Sequence, residues 1–116
     1  MKKFIILYHA PASAVEQMSK ASPEEMKKGM EPWMAWAQKV GDKGDKMVDF
    51  GTPLGNGQSV SKSGSSASNS DVNGYTIIRA DSMEQAVELL KKHPHLDWAD
   101  GCKIEVFESL SIPGME

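Results

Sequence analysis

The sequence predicts an α+β fold with a split βαβ arrangement: one antiparallel sheet with two helices on one face. Three observations carry this. Residues Gly74 to Leu110 read as a strand, a capped amphipathic helix and a second strand. A similar strand-then-helix pattern fills the N-terminal third. At 116 residues, with 40% hydrophobic and 25% charged content, the chain suits one domain, 1–116, with one modest core.

The elements follow in order. Lys3 to His9 is a continuous apolar run of β-formers, as a strand buried on both faces would be. Ala10 to Ala21, with Pro11, is a linker with room for a short helical turn. Ser22-Pro23-Glu24-Glu25 starts a helix: Ser22 caps, Pro23 fits the first helical position, and Glu25 completes a capping box. Met26, Met30, Trp33, Ala37 and Val40 then form one helical stripe that should face a core. Pro32 inside it should kink or divide the helix, and Gly41 or Gly44 should end it.

Met47 to Phe50 is a short strand closed by Gly51-Thr52-Pro53-Leu54-Gly55. From about 58 to 73 the chain is rich in Ser, Gly and Asn, and buries too little apolar surface to offset the entropy of ordering. The expectation there is a flexible loop, as a hairpin tip or alternatively a lid over a pocket, with Gln58 to Lys62 as a potential polar edge strand. Gly74 to Ala80 is a strand. Ser82 or Asp81 caps the next helix, whose buried stripe is Met83, Ala86, Val87 and Leu90, and Pro94 stops it. Lys103 to Leu110 alternates as a half-buried strand does.

Composition excludes several classes. A formal net charge of −3 and no basic run beyond two lysines argue against nucleic acid as a partner. The apolar run after Lys2-Lys3 is too short for a secretory core, and nowhere is there a run of about 18 apolar residues, so no membrane span is expected. The single cysteine, Cys102, rules out an intrachain disulfide and suits a reduced, cytoplasmic protein. No cofactor motif is present.

Two helices cover one sheet face and leave the other bare. The first strand is apolar on both sides, and Tyr75, Ile77 and Phe107 suggest the same for its neighbours. Such a face is usually an interaction surface, and twofold sheet-to-sheet packing as a homodimer covers it economically.

Candidate site residues are few. His9, at the end of the first strand, can enter a pocket as acid or base, or be a hydrogen-bonded structural residue. His93 and His95, flanking Pro94 just past the second helix, can hold a helix C-terminus electrostatically or close the pocket's mouth, where His95 would serve as acid or base. A metal would need three convergent ligands from His9, His93, His95 and Asp97, and the spacing alone does not supply them. Asp49, turned inward, would have its pKa raised and accept a proton; turned outward it is a solvated edge charge. Arg79 can hold an anionic substrate group or pair with a neighbouring carboxylate. Trp33, Trp36 and Tyr8 are either core or the aromatic wall of a small-molecule pocket.

In its ordered set of segments the chain resembles the YCII-related (YciI-like, DGPF-type) proteins of the dimeric α+β barrel superfamily. The segments are Lys3-Phe4-Ile5-Ile6-Leu7-Tyr8, Ser22-Pro23-Glu24-Glu25-Met26, Trp33-Met34-Ala35-Trp36 and Asp49-Phe50-Gly51-Thr52-Pro53-Leu54, followed by the Gly74 to Ser82 stretch, His93-Pro94-His95-Leu96 and Ile104-Glu105-Val106-Phe107-Glu108. The resemblance implies a ferredoxin-like protomer, a homodimer, and a pocket between sheet and helices. The function expected is a small cofactor-independent enzyme doing acid–base chemistry on a small metabolite in that pocket, or alternatively a non-catalytic small-molecule-binding or stress-related module. Some members are proposed to use a His/Asp pair. Here Trp33 falls near the family's helix histidine, His93 stands at its aspartate before proline, and Ser70-Asp71-Val72-Asn73 lies in the neighbourhood of the missing DGPF tetrapeptide.

Overall fold

The computed structural model describes residues 1–41 and 46–115. Ten elements follow one another: β1 (Lys2–His9), α1 (Ala12–Ser19), α2 (Pro23–Gly41), β2 (Met47–Asp49), β3 (Gln58–Ser61), β4 (Gly64–Ala67), β5 (Val72–Ala80), α3 (Met83–Leu90), a 3₁₀ turn (Pro94–Asp97) and β6 (Lys103–Glu108). The main sheet has the order β2-β5-β1-β6, and every neighbouring pair is antiparallel. Counting only these four strands in chain order, this is 2-3-1-4, the ferredoxin-like α+β arrangement. The predicted alternative end of α2 at Gly44 lies outside the described residues.

The period of two along each strand separates the sheet's faces. Phe4, Ile6 and Tyr8 of β1 and Thr76, Ile78 and Ala80 of β5 point to the helices and are buried. Trp36 and Val40 of α2 and Ala86 and Leu90 of α3 close the core over them. On the other face Ile5, Leu7, Tyr75 and Ile77 are half-buried, and Phe107 is 49% exposed.

The predicted Ser22 capping box forms, and Ser82 caps α3 as expected. Glu25 N donates to Ser22 Oγ at 3.1 Å and Ser22 N to Glu25 Oε1 at 3.3 Å. Gln85 N donates to Ser82 Oγ at 3.2 Å and Asp81 N to Gln85 Oε1 at 2.8 Å. The Ser22 box and the Ser82 cap satisfy donors that a helix start leaves unpaired, while Gln85 also ties down the residue before its cap.

The structure changes or narrows several expectations, and Val87 of the expected α3 stripe is 39% exposed. The linker after Pro11 holds an eight-residue helix, α1. In the serine-rich stretch the potential strand from Gln58 does form, but it pairs with β4 in a separate hairpin rather than at an edge of the main sheet; its side chains are all exposed and its order comes from backbone pairing. Of the two outcomes expected of Pro32, division does not occur: Pro32 lies at the middle of α2, which runs on as one helix, and the hydrogen bond it cannot make is offset by the packing of Trp36 and Val40 beyond it. The stripe along α2 also splits, because only its C-terminal half rests on the sheet. Met26 and Met30 are 41% and 42% exposed and overhang a cleft instead.

Candidate functional site

A cleft of about 640 Å³ opens between the sheet, α1, α2 and the 3₁₀ turn. That volume suits a small organic molecule. Trp33, Phe50, Pro53, Pro94 and Trp98 contribute to its walls, Tyr8 and Gly74 line it from the sheet, and Met18, Met26 and Met30 line it from the helices. Asn73, Thr52 and Asp97 supply polar side chains. The wall formed by the segment after β2 depends on Gly51, which has φ 84° and where a Cβ would lie 1.7 Å from the Tyr75 carbonyl oxygen.

A directional hydrogen-bond chain runs beneath the cleft. Thr76 Oγ1 donates to Phe50 O at 2.8 Å, since a carbonyl only accepts. Tyr8 Oη, 2.7 Å from Thr76 Oγ1, must then be the donor in that bond. His93 Nδ1 accepts from His95 N at 3.0 Å, so the neutral ring carries its proton on Nε2, 3.2 Å from Tyr8 Oη. Every hydrogen in this chain is committed inside the protein. Burial pushes the Tyr8 hydroxyl up to about 12, against the opposing effect of its bond to Thr76. Burial, with His95 adding to it, depresses His93 to about 3. Trp33 and Trp36 meet the His93 ring at centroid distances of 4.4 and 4.3 Å, which fixes its plane.

His95 is buried beside this chain. Its Nε2 donates to the His9 carbonyl at 2.7 Å, and its Nδ1 is left buried with no partner. Burial is the main cause of its lowered pKa.

His9 lies on the opposite face of the sheet from Tyr8. The two are consecutive, with a register shift between them in the pairing with β5. The His9 ring is buried between two half-exposed carboxylates, with Nδ1 2.5 Å from Asp71 Oδ1 and Nε2 2.6 Å from Glu105 Oε1. The second contact has ion-pair distance without the angle of a hydrogen bond. The bond from His9 lowers the Asp71 pKa.

The expected site residues thus divide. Tyr8 and Trp33 line the cleft. Trp36 lies in the core, donating from Nε1 to Leu89 O at 2.8 Å. Asp49 faces outward: it accepts from Gly51 N at 2.9 Å and from Tyr75 Oη at 3.0 Å, so both oxygens shape the turn after β2. Arg79 is exposed on the open sheet face, away from the cleft lining. His9 and His95 meet through backbone, but neither is among the lining residues. No cluster of three metal-ligating side chains occurs among the described residues. Burial raises the half-buried Cys102 thiol, the opposite of nucleophile activation. Among the described residues no helix is long and apolar enough to cross a membrane.

Sequence reading did not single out Thr76, Asn73, Asp71, Glu105 or Trp98. Asp71 had a signal only as a neighbour of the altered tetrapeptide, and the partners of His9 are distant in sequence.

No family model matches the chain, and no curated protein matches it. Its structure is similar to that of 5-chloro-2-hydroxyhydroquinone dehydrochlorinase from Burkholderia phenoliruptrix AC1100, solved with 2,5-dihydroxybenzoquinone. The two share 16% identity over 89% of this chain and 90% of that one, with a TM-score of 0.46.

Proposed function

We propose that this protein is a small-molecule-binding module that takes a compact, largely apolar molecule into the cleft between sheet and helices. The observation that carries this is a 640 Å³ cleft walled by Trp33, Phe50 and Trp98, with few polar groups. Such a surface gains by desolvating an apolar body and uses isolated polar atoms for orientation. Binding without turnover is favoured over acid–base catalysis because no histidine lines the cleft and the Tyr8 proton is engaged internally.

The reading includes a YCII-like homodimer in the cytoplasm. The ordered segments from Lys3 to Glu108 support the family. The open apolar sheet face, with Phe107 49% exposed, supports the dimer. The lone Cys102 supports the compartment.

One observation favours a catalytic alternative. An imidazole between two carboxylates, His9 with Asp71 and Glu105, is a plausible proton-transfer group. In that reading His9 and His95 move protons, Asp49 orients, and Arg79 holds an anionic group, outside the cleft. Turnover of a small molecule that His9→Ala abolishes and Gly29→Leu leaves intact would establish it over simple binding in the cleft.

The test of binding uses the neutral dye N-phenyl-1-naphthylamine, whose fluorescence rises in apolar surroundings. Gly29 lines the cleft on α2, and a Cβ there meets nothing within 4 Å. Gly29→Leu should fill the cleft while favouring the helix. Saturable dye binding that Gly29→Leu weakens at least about tenfold, with unchanged far-UV circular dichroism, is the expected result. Absent binding, or equal binding by both proteins, overturns the proposal.

A further inference from the structure

We propose that the cleft selects organic cations, specifically ammonium compounds with an aromatic or alkyl body, over organic anions. This rests on the binding reading above and adds the charge of the ligand to it.

The polar groups of the cleft are biased toward acceptors. The Asp97 carboxylate is exposed in the lining and forms no ion pair among the described residues. Asn73 Oδ1 is buried without a partner, an acceptor that a donor from a ligand would satisfy. The Tyr8 hydroxyl cannot offer its hydrogen, because Thr76 already donates to Phe50 O and must receive the Tyr8 proton. His93 cannot turn the chain round, because its Nδ1 is held by the His95 backbone N–H.

The complementary group is missing from the lining. No lysine, arginine or histidine is among the described residues that line the cleft. Carboxylate and phosphate ligands are ordinarily held by guanidinium or ammonium groups, or by several converging N–H donors. The Thr52 hydroxyl and the Asn73 amide nitrogen are neutral and too few for that task. An anion entering here would lose its water and meet Asp97.

The walls favour the opposite charge. Trp33 and Phe50 stand edge-on at 85° with centroids 6.4 Å apart, and Trp98 adds a further indole. Aromatic faces carry negative potential and attract an ammonium group. An amine can set its apolar body among these rings and direct N–H bonds to Asp97 and Asn73.

The experiment displaces N-phenyl-1-naphthylamine at pH 7 with two ligands that share one ring system, 2-(1-naphthyl)ethylammonium and 1-naphthylacetate. The ammonium compound should displace at a concentration at least about tenfold lower. Asp97→Asn should reduce that ratio, and Asp97→Lys, at an exposed position, should invert it. Equal or stronger displacement by naphthylacetate overturns the inference while leaving the cleft as a binding site. A ratio unchanged in both Asp97 variants overturns it too. Dye that does not bind, or that binds Gly29→Leu equally, removes the binding reading and this inference together.

Discussion

At the scale of single residues, the protein commits its buried hydrogens to one direction, from His93 through Tyr8 and Thr76 to the Phe50 carbonyl. Thr76→Val removes the middle link and leaves Tyr8 Oη and Phe50 O without their partner. A buried unsatisfied group costs about 1–3 kcal/mol, and urea denaturation should show a loss in that range. Tyr8→Phe leaves the buried His93 Nε2–H without its acceptor, and should cost about 1–3 kcal/mol by the same measurement. His93 also makes stability depend on pH. Burial holds it at about 3 against an ordinary value of 6.5. Between those values the unfolded chain binds a proton that the folded chain does not. The neutral ring's contribution is therefore whole above pH 6.5 and is lost as pH falls towards 3. Denaturation at pH 7 and 4.5 should differ by roughly 2 kcal/mol from this residue, and His93→Asn should flatten the slope; an equal slope in both proteins would refute the assignment. Much at this scale was hidden in the sequence. Tyr8 and Trp33 were legible as aromatic candidates. Thr76 was not, because a threonine inside a strand looks like any β-former. The pairing of His9 with Asp71 spans 62 positions, and only the folded sheet brings the two together.

At the scale of elements, local chemistry decided what could be read. Ser22 with Glu25 and Ser82 with Gln85 announce helix starts because the bonds they make lie within three residues. Ser82→Ala should cost about 1 kcal/mol in thermal or urea unfolding. The helix α1 gives no such notice: its cap is Pro11, with no side-chain bond to the first turn. The β3–β4 hairpin was only partly legible: a strand from Gln58 was open from the sequence, its partner β4 was not. All its residues are exposed, so no apolar alternation marks it. The same fact makes it dispensable. Gly57 O accepts from Ser68 N at 2.9 Å, closing the hairpin at its base. Replacing residues 58–67 with a two-residue Asn-Gly turn should move the thermal midpoint by only a few degrees, because no buried contact is lost. A fall of about 10 °C or more would show that the hairpin supports the domain.

At the scale of the whole molecule, the sheet has one dry face and one bare face. The central place of the first strand and the two-helices-on-one-face arrangement were legible, because Lys3 to His9 and Gly74 to Ala80 carry enough apolar residues for both surfaces. The cleft was less so. Met26 and Met30 share the helical spacing of core residues, and only the position of α2 on the sheet shows that they project past it. The proposed homodimer predicts a solution mass near twice the 12.7 kDa of one chain. Phe107→Glu should shift that mass toward one chain at micromolar concentration, since a carboxylate would be buried without a partner at the proposed contact. Light scattering that finds single chains for the unaltered protein would rule out the pairing.

The hydrogen atom that serves as the side chain of Gly51 acts as a spacer. With the Tyr75 carbonyl oxygen 1.7 Å from where a methyl would begin, even alanine must prise the segment carrying Phe50, Thr52 and Pro53 off the sheet edge. That segment is one jaw of the binding cavity. The clearance available to any guest is therefore set by the smallest substituent an amino acid can bear, at a place the guest need not touch.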